Sequence, residues 1–295
     1  YKGEGFAVPF IWIKAFEGGK GLDANDADFD YYALAPSITV SEMLTITPYV
    51  MWATSDNAGV WKPTLHSPLN TTSTVGKSLS LEGIKEINVY YIGLDMDAKF
   101  DGGKAWFTGI YQGGSADYAD TKLGSIDFSA WLAAIGASVN LSDMADVHGQ
   151  VFYATGDDPE EKDFEAFFVP SQNDSTGQSY YWAEIMGYGI FDDTVSSGSP
   201  YDHISNVMAA NIGTTFSPAK EFSITLDIWY AKLAEEDANK EDYLGTEVDL
   251  VLSYELLEGL KLDLVGAYLF RGDATYKGMN DANPYEVGSQ LSLSF

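Results

Sequence analysis

Apolar and polar residues alternate along most of this chain. Between Tyr285 and Phe295, the residues Tyr285, Val287, Leu291, Leu293 and Phe295 share one parity, while Glu286, Gly288, Gln290, Ser292 and Ser294 occupy the other. Successive side chains of a strand point to opposite faces, so this spacing predicts a strand with one apolar and one wet face. Residues 222–231 repeat the pattern, with Phe222, Ile224, Leu226, Ile228 and Tyr230 opposite Ser223, Thr225, Asp227 and Ala231, and Trp229 as an exception. So do Val248, Leu250, Leu252, Tyr254 and Leu256 opposite Glu247, Asp249, Ser253 and Glu255. Leu260, Leu262, Leu264, Tyr268 and Phe270 likewise oppose Lys261, Asp263 and Arg271. Twelve segments read as strands: 5–16, 28–38, 44–55, 87–99, 104–113, 128–141, 147–156, 204–216, 221–232, 245–256, 260–271 and 284–295.

The connections sort into two kinds. Ser41-Glu42, Asp101-Gly102-Gly103, Ser142 to Ala145, Ser217 to Lys220 and Leu257-Glu258-Gly259 have hairpin length and turn composition. The segments 17–27, 56–86, 114–127, 157–203, 233–244 and 272–283 are longer, and the two kinds alternate along the chain. This asymmetry predicts an all-β fold: a transmembrane antiparallel up-and-down β-barrel with short periplasmic turns and long extracellular loops. The expected count is about twelve strands, rising to 14–18 if strands precede Tyr1 or hide in 157–203, in one domain over 1–295. No run reaches the length of a membrane helix; Phe128–Ser142 is the longest candidate. Lipid admits only helices or closed barrels. A soluble sheet with one buried face gives the same alternation. Aromatics at the ends of the apolar faces (Phe222, Tyr230, Tyr254, Tyr268, Phe270 and Tyr285) favour the membrane, where such residues form interfacial girdles.

The closing segment YEVGSQLSLSF resembles the C-terminal signature of bacterial outer-membrane proteins, through Tyr285, Val287, Leu291, Leu293 and the terminal Phe295. The resemblance implies a Gram-negative outer-membrane location and recognition by the barrel-assembly machinery. The segments 245–274 and 149–158 (GQVFYATGDD) resemble parts of alginate-export-like porins. That family carries a basic lumen; this chain departs from it, so alginate does not carry over as a substrate. The first residue, Tyr1, reads as a processed or truncated N-terminus.

Charge sharpens the picture. Lys and Arg number 16 against 44 Asp and Glu, a formal net charge of −28. Such a chain repels nucleic acid. It contains no cysteine, which excludes a disulfide framework and Cys-ligated metal. On the wet parity stand Asp95, Asp97, Asp227, Glu247, Asp249, Glu255, Asp263 and Glu286, against Lys99, Lys261 and Arg271. Surplus carboxylate along a pore favours cations. The leading expectation is therefore an outer-membrane channel for passive diffusion of small solutes or ions, preferring cations. The alternative is a plugged barrel that acts as a scaffold or sheath for a partner such as an extracellular cytochrome. Within the long 157–203 connection, Tyr181, Trp182, Ile185 and Met186 lie in an apolar stretch whose spacing predicts a short helix packed in the lumen, as a constriction or contact surface.

Enzymatic chemistry is not expected. Ser138, Asn140 and His148 occupy wet parities of neighbouring strands, a grouping a Ser-His-Asn hydrolase would need, but read more simply as a polar lumen cluster. Asp23, Asn25, Asp26 and Asp28 lack the glycine and terminal Glu of an EF-hand loop. They leave only a looser oxygen-ligand Ca²⁺ site, and no other cofactor is implied. Expected partners are outer-membrane lipid, lipopolysaccharide through divalent ions at acidic loops, the solute itself, and further copies in a homo-oligomer.

Overall fold

The structure is a computed structural model. It describes residues 2–3, 5–16, 28–56, 84–118, 120, 122, 124–158, 163–168, 182–187, 189–190, 204–236, 240–275 and 282–294. Among these, the regular structure is entirely β. The strands are β1 (Lys2–Gly3), β2 (Phe6–Ala7), β3 (Phe10–Phe16), β4 (Phe29–Leu34), β5 (Ser37–Ser41), β6 (Leu44–Ser55), β7 (Ile84–Phe100) and β8 (Gly103–Tyr118). They continue as β9 (Ser125–Ser142), β10 (Ala145–Ala154), β11 (Val207–Ala219), β12 (Phe222–Leu233), β13 (Tyr243–Leu257), β14 (Leu260–Arg271) and β15 (Tyr285–Leu293). From β5 onward each pairs antiparallel with the next in sequence, giving one up-and-down sheet.

Each of the twelve expected segments is present. The first two are cut in half, and the cause is proline. Pro9 separates β2 from β3 and Pro36 separates β4 from β5. Proline lacks the N–H that a ladder needs, so pairing lapses there and resumes beyond. Short links close the hairpins at Glu42-Met43, Asp101-Gly102, Asp143-Met144, Lys220-Glu221 and Glu258-Gly259. Gly102 and Gly259 hold φ of 77° and 78°, a left-handed conformation that glycine adopts without strain.

The two faces differ in the sense the parity predicts. Outward lie Val50, Ile92, Ile135, Val151, Ile212, Leu226, Ile228, Leu250 and Leu264, all exposed. Aromatics frame this aliphatic band. Toward the long connections, Tyr32 stacks on Trp52, Trp131 on Tyr153 and Tyr230 on Tyr243. Toward the short turns, Phe222 lies beside Tyr254, with Phe216 exposed on the neighbouring strand β11 and Phe100 exposed at the end of β7. The opposite face carries the buried residues. They gather in one cluster running from Phe29 and Ala53 through Phe152 and Trp229 to Leu269.

One expectation is met only in part. The sheet has the strand order of a barrel but does not close on itself: among the described residues β3 pairs only with β4, and β15 only with β14.

Candidate functional site in the lumen

Register places the inward side chains in rows across the sheet. One row runs Lys99, Lys104, Ser138, His148, Gly213, Asp227, Asp249, Ala267 and Glu286, each directly opposite the next. Basic groups occupy one arc of it (β7, β8 and β10) and acids the other (β12, β13 and β15). The neighbouring row toward the long connections contains Asp97, Trp106, Gly136, Gln150, Asn211, Trp229 and Glu247. Beyond it the inner wall becomes apolar, with Phe152, Ala209 and Ala231, then Leu132, Ala154, Val207 and Leu233.

From β7 to β12 the polar rows line an open chamber of about 850 Å³. It reaches the short turns, where Gly102 and Asn140 also line a second cavity that extends to Asp143 and Ser217. On its walls His148 bridges two acids: its ring nitrogens lie 3.0 Å from Asp146 Oδ1 and 3.0 Å from Asp227 Oδ1. The second contact crosses an intervening strand. It forms because Gly213 stands between them, and a Cβ there would strike both Asp227 Oδ1 and His148 Nε2. Asn211 Nδ2 donates to the same Asp227 oxygen at 2.6 Å. Trp106 lies across Gly136, filling the space a side chain there would take.

Above the chamber the lumen is filled. Residues 163–168 bring Phe164, Phe167 and Phe168 against Phe128 and Tyr91. The Tyr91 hydroxyl donates to the carbonyl of Phe168, and the N–H of Phe168 donates to Gln112. Residues 182–187 form a second inward segment. Trp182 packs edge-on against Phe152 and Trp229, with ring centroids 5.2 and 5.7 Å away. Trp229 thus lines the chamber on one side and touches the filling on the other, which explains its departure from the strand's parity.

The inward segment is held by a carboxylate. Glu247, fully buried, accepts N–H bonds from Glu184 (2.8 Å), Ile185 (2.6 Å) and Met186 (2.8 Å). Three convergent backbone amides form an anion-holding nest, here used by a side chain of the wall. The expected short helix at 182–186 is not there. The segment is a run of bends, because its amides are turned toward Glu247 rather than to carbonyls four residues back. The inward packing of Trp182, Ile185 and Met186 does occur; Tyr181 lies outside the described residues.

The remaining expected residues fall as follows. Asp95 accepts from Thr108 at 2.7 Å, Asp97 is exposed, and Asp263 is buried with Lys261 at 2.9 Å. Arg271 donates to the Thr275 carbonyl. Lys261 reaches the acid on its own strand, and Glu247 is taken by amides. Nor does His148 bond to Ser138 or Asn140, since both ring nitrogens face acids. Of the acidic loop set, Asp28 accepts from Lys14 at 2.7 Å; Asp23, Asn25, Asp26 and the terminal Phe295 lie outside the described residues. Tyr285, Val287, Leu291 and Leu293 share the exposed face of β15. The parity count of basic residues omitted Lys104, which faces the chamber from the start of β8.

No protein-family model and no curated protein sequence matches this chain. Solved structures do. Pseudomonas aeruginosa OccK11 (OpdR) aligns over 98% of this chain and 65% of its own, at 10% identity and a TM-score of 0.49. Pseudomonas aeruginosa OccK5 (OpdH) aligns over 92% and 60%, at 11% identity and 0.47. The NanC porin aligns over 98% and 99%, at 9% identity and 0.38. The chain therefore spans less than two thirds of the two Pseudomonas proteins.

Proposed function

We propose that the protein is a bacterial outer-membrane channel for small solutes. The observation that carries this reading is the inversion of its two faces. An aliphatic band between two sets of aromatics points outward, while a wall of charged and amide side chains lines a chamber. A soluble sheet buries its apolar face; only a lipid exterior stabilises this one. Solutes pass by diffusion, and the segments 163–168 and 182–187 narrow the long-connection half. The wet faces of the strands carry more acids than bases, exposed Asp97 among them, and so favour cations. The test is a planar bilayer under a KCl gradient. A conductance whose reversal potential has the sign for K⁺ agrees with the proposal; folded protein that never conducts sinks it. The apolar filling supports a second reading, a plugged barrel that scaffolds a partner, and this is the reading that a silent bilayer would leave.

A further inference from the structure

Two lysines of the chamber stand out. Lys99 and Lys104 are direct partners across the β7–β8 ladder, and both line the chamber. Among the described residues neither has an acid within salt-bridge distance. Like charges placed opposite one another on a sheet repel. In a chain with 44 acids and 16 bases, two adjacent exposed bases without an acid partner make a local positive patch on the chamber wall. The far wall has the opposite character. Asp227, which lines the chamber, receives both His148 and Asn211 on Oδ1, and its Oδ2 makes no hydrogen bond among the described residues. Gln150 and Asn211 add amide groups beside it, and Trp106 and Trp229 supply flat apolar surface between the two walls.

We infer that this chamber is a binding site for a small zwitterion, a molecule with a carboxylate at one end and an ammonium at the other, of amino-acid or dipeptide size. The carboxylate lies against Lys99 and Lys104 and cancels their repulsion. The ammonium donates to Asp227 Oδ2, and the intervening chain rests on the two indoles. A volume of about 850 Å³ lies within the range of small-molecule sites and holds such a solute with water. The inference rests on the channel reading for how the solute arrives, and it names the class of solute that the lumen retains.

The test uses the full chain folded in detergent, with tryptophan fluorescence as the readout, since Trp106 and Trp229 line the chamber. Three probes are compared: alanyl-alanine, its N-acetyl form without the ammonium, and its C-terminal amide without the carboxylate. Alanyl-alanine is expected to bind at least about ten-fold more tightly than either capped form, since each loses a charge-assisted contact. In Lys99→Met/Lys104→Met the advantage over the amide disappears. In Asp227→Asn the advantage over the N-acetyl form disappears. Capped forms that bind the wild-type protein as tightly as the parent would overturn the inference, and need no variant to fold. So would the absence of any quench in protein whose gel mobility shows it folded. The assay does not depend on conductance. Binding without conductance overturns the channel alone, and conductance without binding overturns the zwitterion alone.

Discussion

Gly213 lets two side chains from separate strands meet above it, His148 from β10 and Asp227 from β12. A Gly213→Val substitution places methyl groups where those polar atoms join. The expected cost is about 0.5–1.5 kcal/mol, the loss of a hydrogen bond between half-buried side chains. Gly266 is the natural control, since a Cβ there meets nothing within 4 Å, so Gly266→Ala should be close to neutral. Urea unfolding of the two variants in micelles checks the contrast; equal midpoints would mean that the His148 bridge contributes nothing. Glu247 is the other decisive residue. Glu247→Ala removes the acceptor of three amides, each a charge-assisted bond of roughly 1.5–3 kcal/mol at most. The amides of Glu184, Ile185 and Met186 should then exchange at least ten-fold faster, and channel current should rise. Unaltered exchange would show that Trp182 packing alone holds the segment. Glu247 was legible as an inward acid from parity. Its partners were not, because they are backbone amides more than sixty positions away in the chain. Lys104 was missed for a related reason: parity is least defined at the first residue of a strand.

Elements were more legible than contacts. Alternation fixes which side chains share a face whatever lies on either side, so every expected strand is present and Leu226, Ile228 and Leu250 face outward as read. Two departures from the strand pattern have physical causes. Trp229 sits on the wet parity although it is apolar, and Trp182 meets it there from a distant segment. The first two staves break because Pro9 and Pro36 withhold ladder donors. Parity cannot say what medium the outer face meets, and a single substitution can. Ile212, 63% exposed near the middle of β11, should tolerate Arg well in water. In a bilayer the same change should cost about 2–4 kcal/mol if the residue sits near the midplane. Equilibrium unfolding from liposomes, with inward-facing Thr215→Arg as the comparison, measures it. A penalty below ~0.5 kcal/mol would place this face outside the lipid.

At the scale of the whole molecule the open edges raise the sharpest question. Ile11 and Ile13 have the inward parity, yet both are exposed, as are Phe10 and Trp12 on the other face. Only a strand at a free edge shows apolar groups on both sides in this way. Tyr285 and Val287 of β15 are about three-quarters exposed at the opposite edge. Unpaired N–H and C=O groups at either edge would cost several kcal/mol each in hydrocarbon, so neither edge can remain free in a bilayer. Besides the two-residue β1, which pairs with β2 at that edge, β2 with β3 makes one stave and β4 with β5 a second; among the described residues the ten strands β6 to β15 complete an even number. With an even number the first and last staves run antiparallel and can join as an ordinary ladder. Cysteines placed in pairs at Phe10 or Trp12 with Tyr285, Val287 or Leu291, in a chain with no cysteine of its own, report on this directly. If the edges join, one offset brings the Cα atoms within the roughly 4.4–6.8 Å that a disulfide requires. Oxidation in membranes should then give a single intramolecular bridge at that offset. A bridge between two molecules would instead make the second copy the closing partner. No bridge at any offset would mean that other strands stand between these edges, and that the lumen is wider than twelve staves enclose.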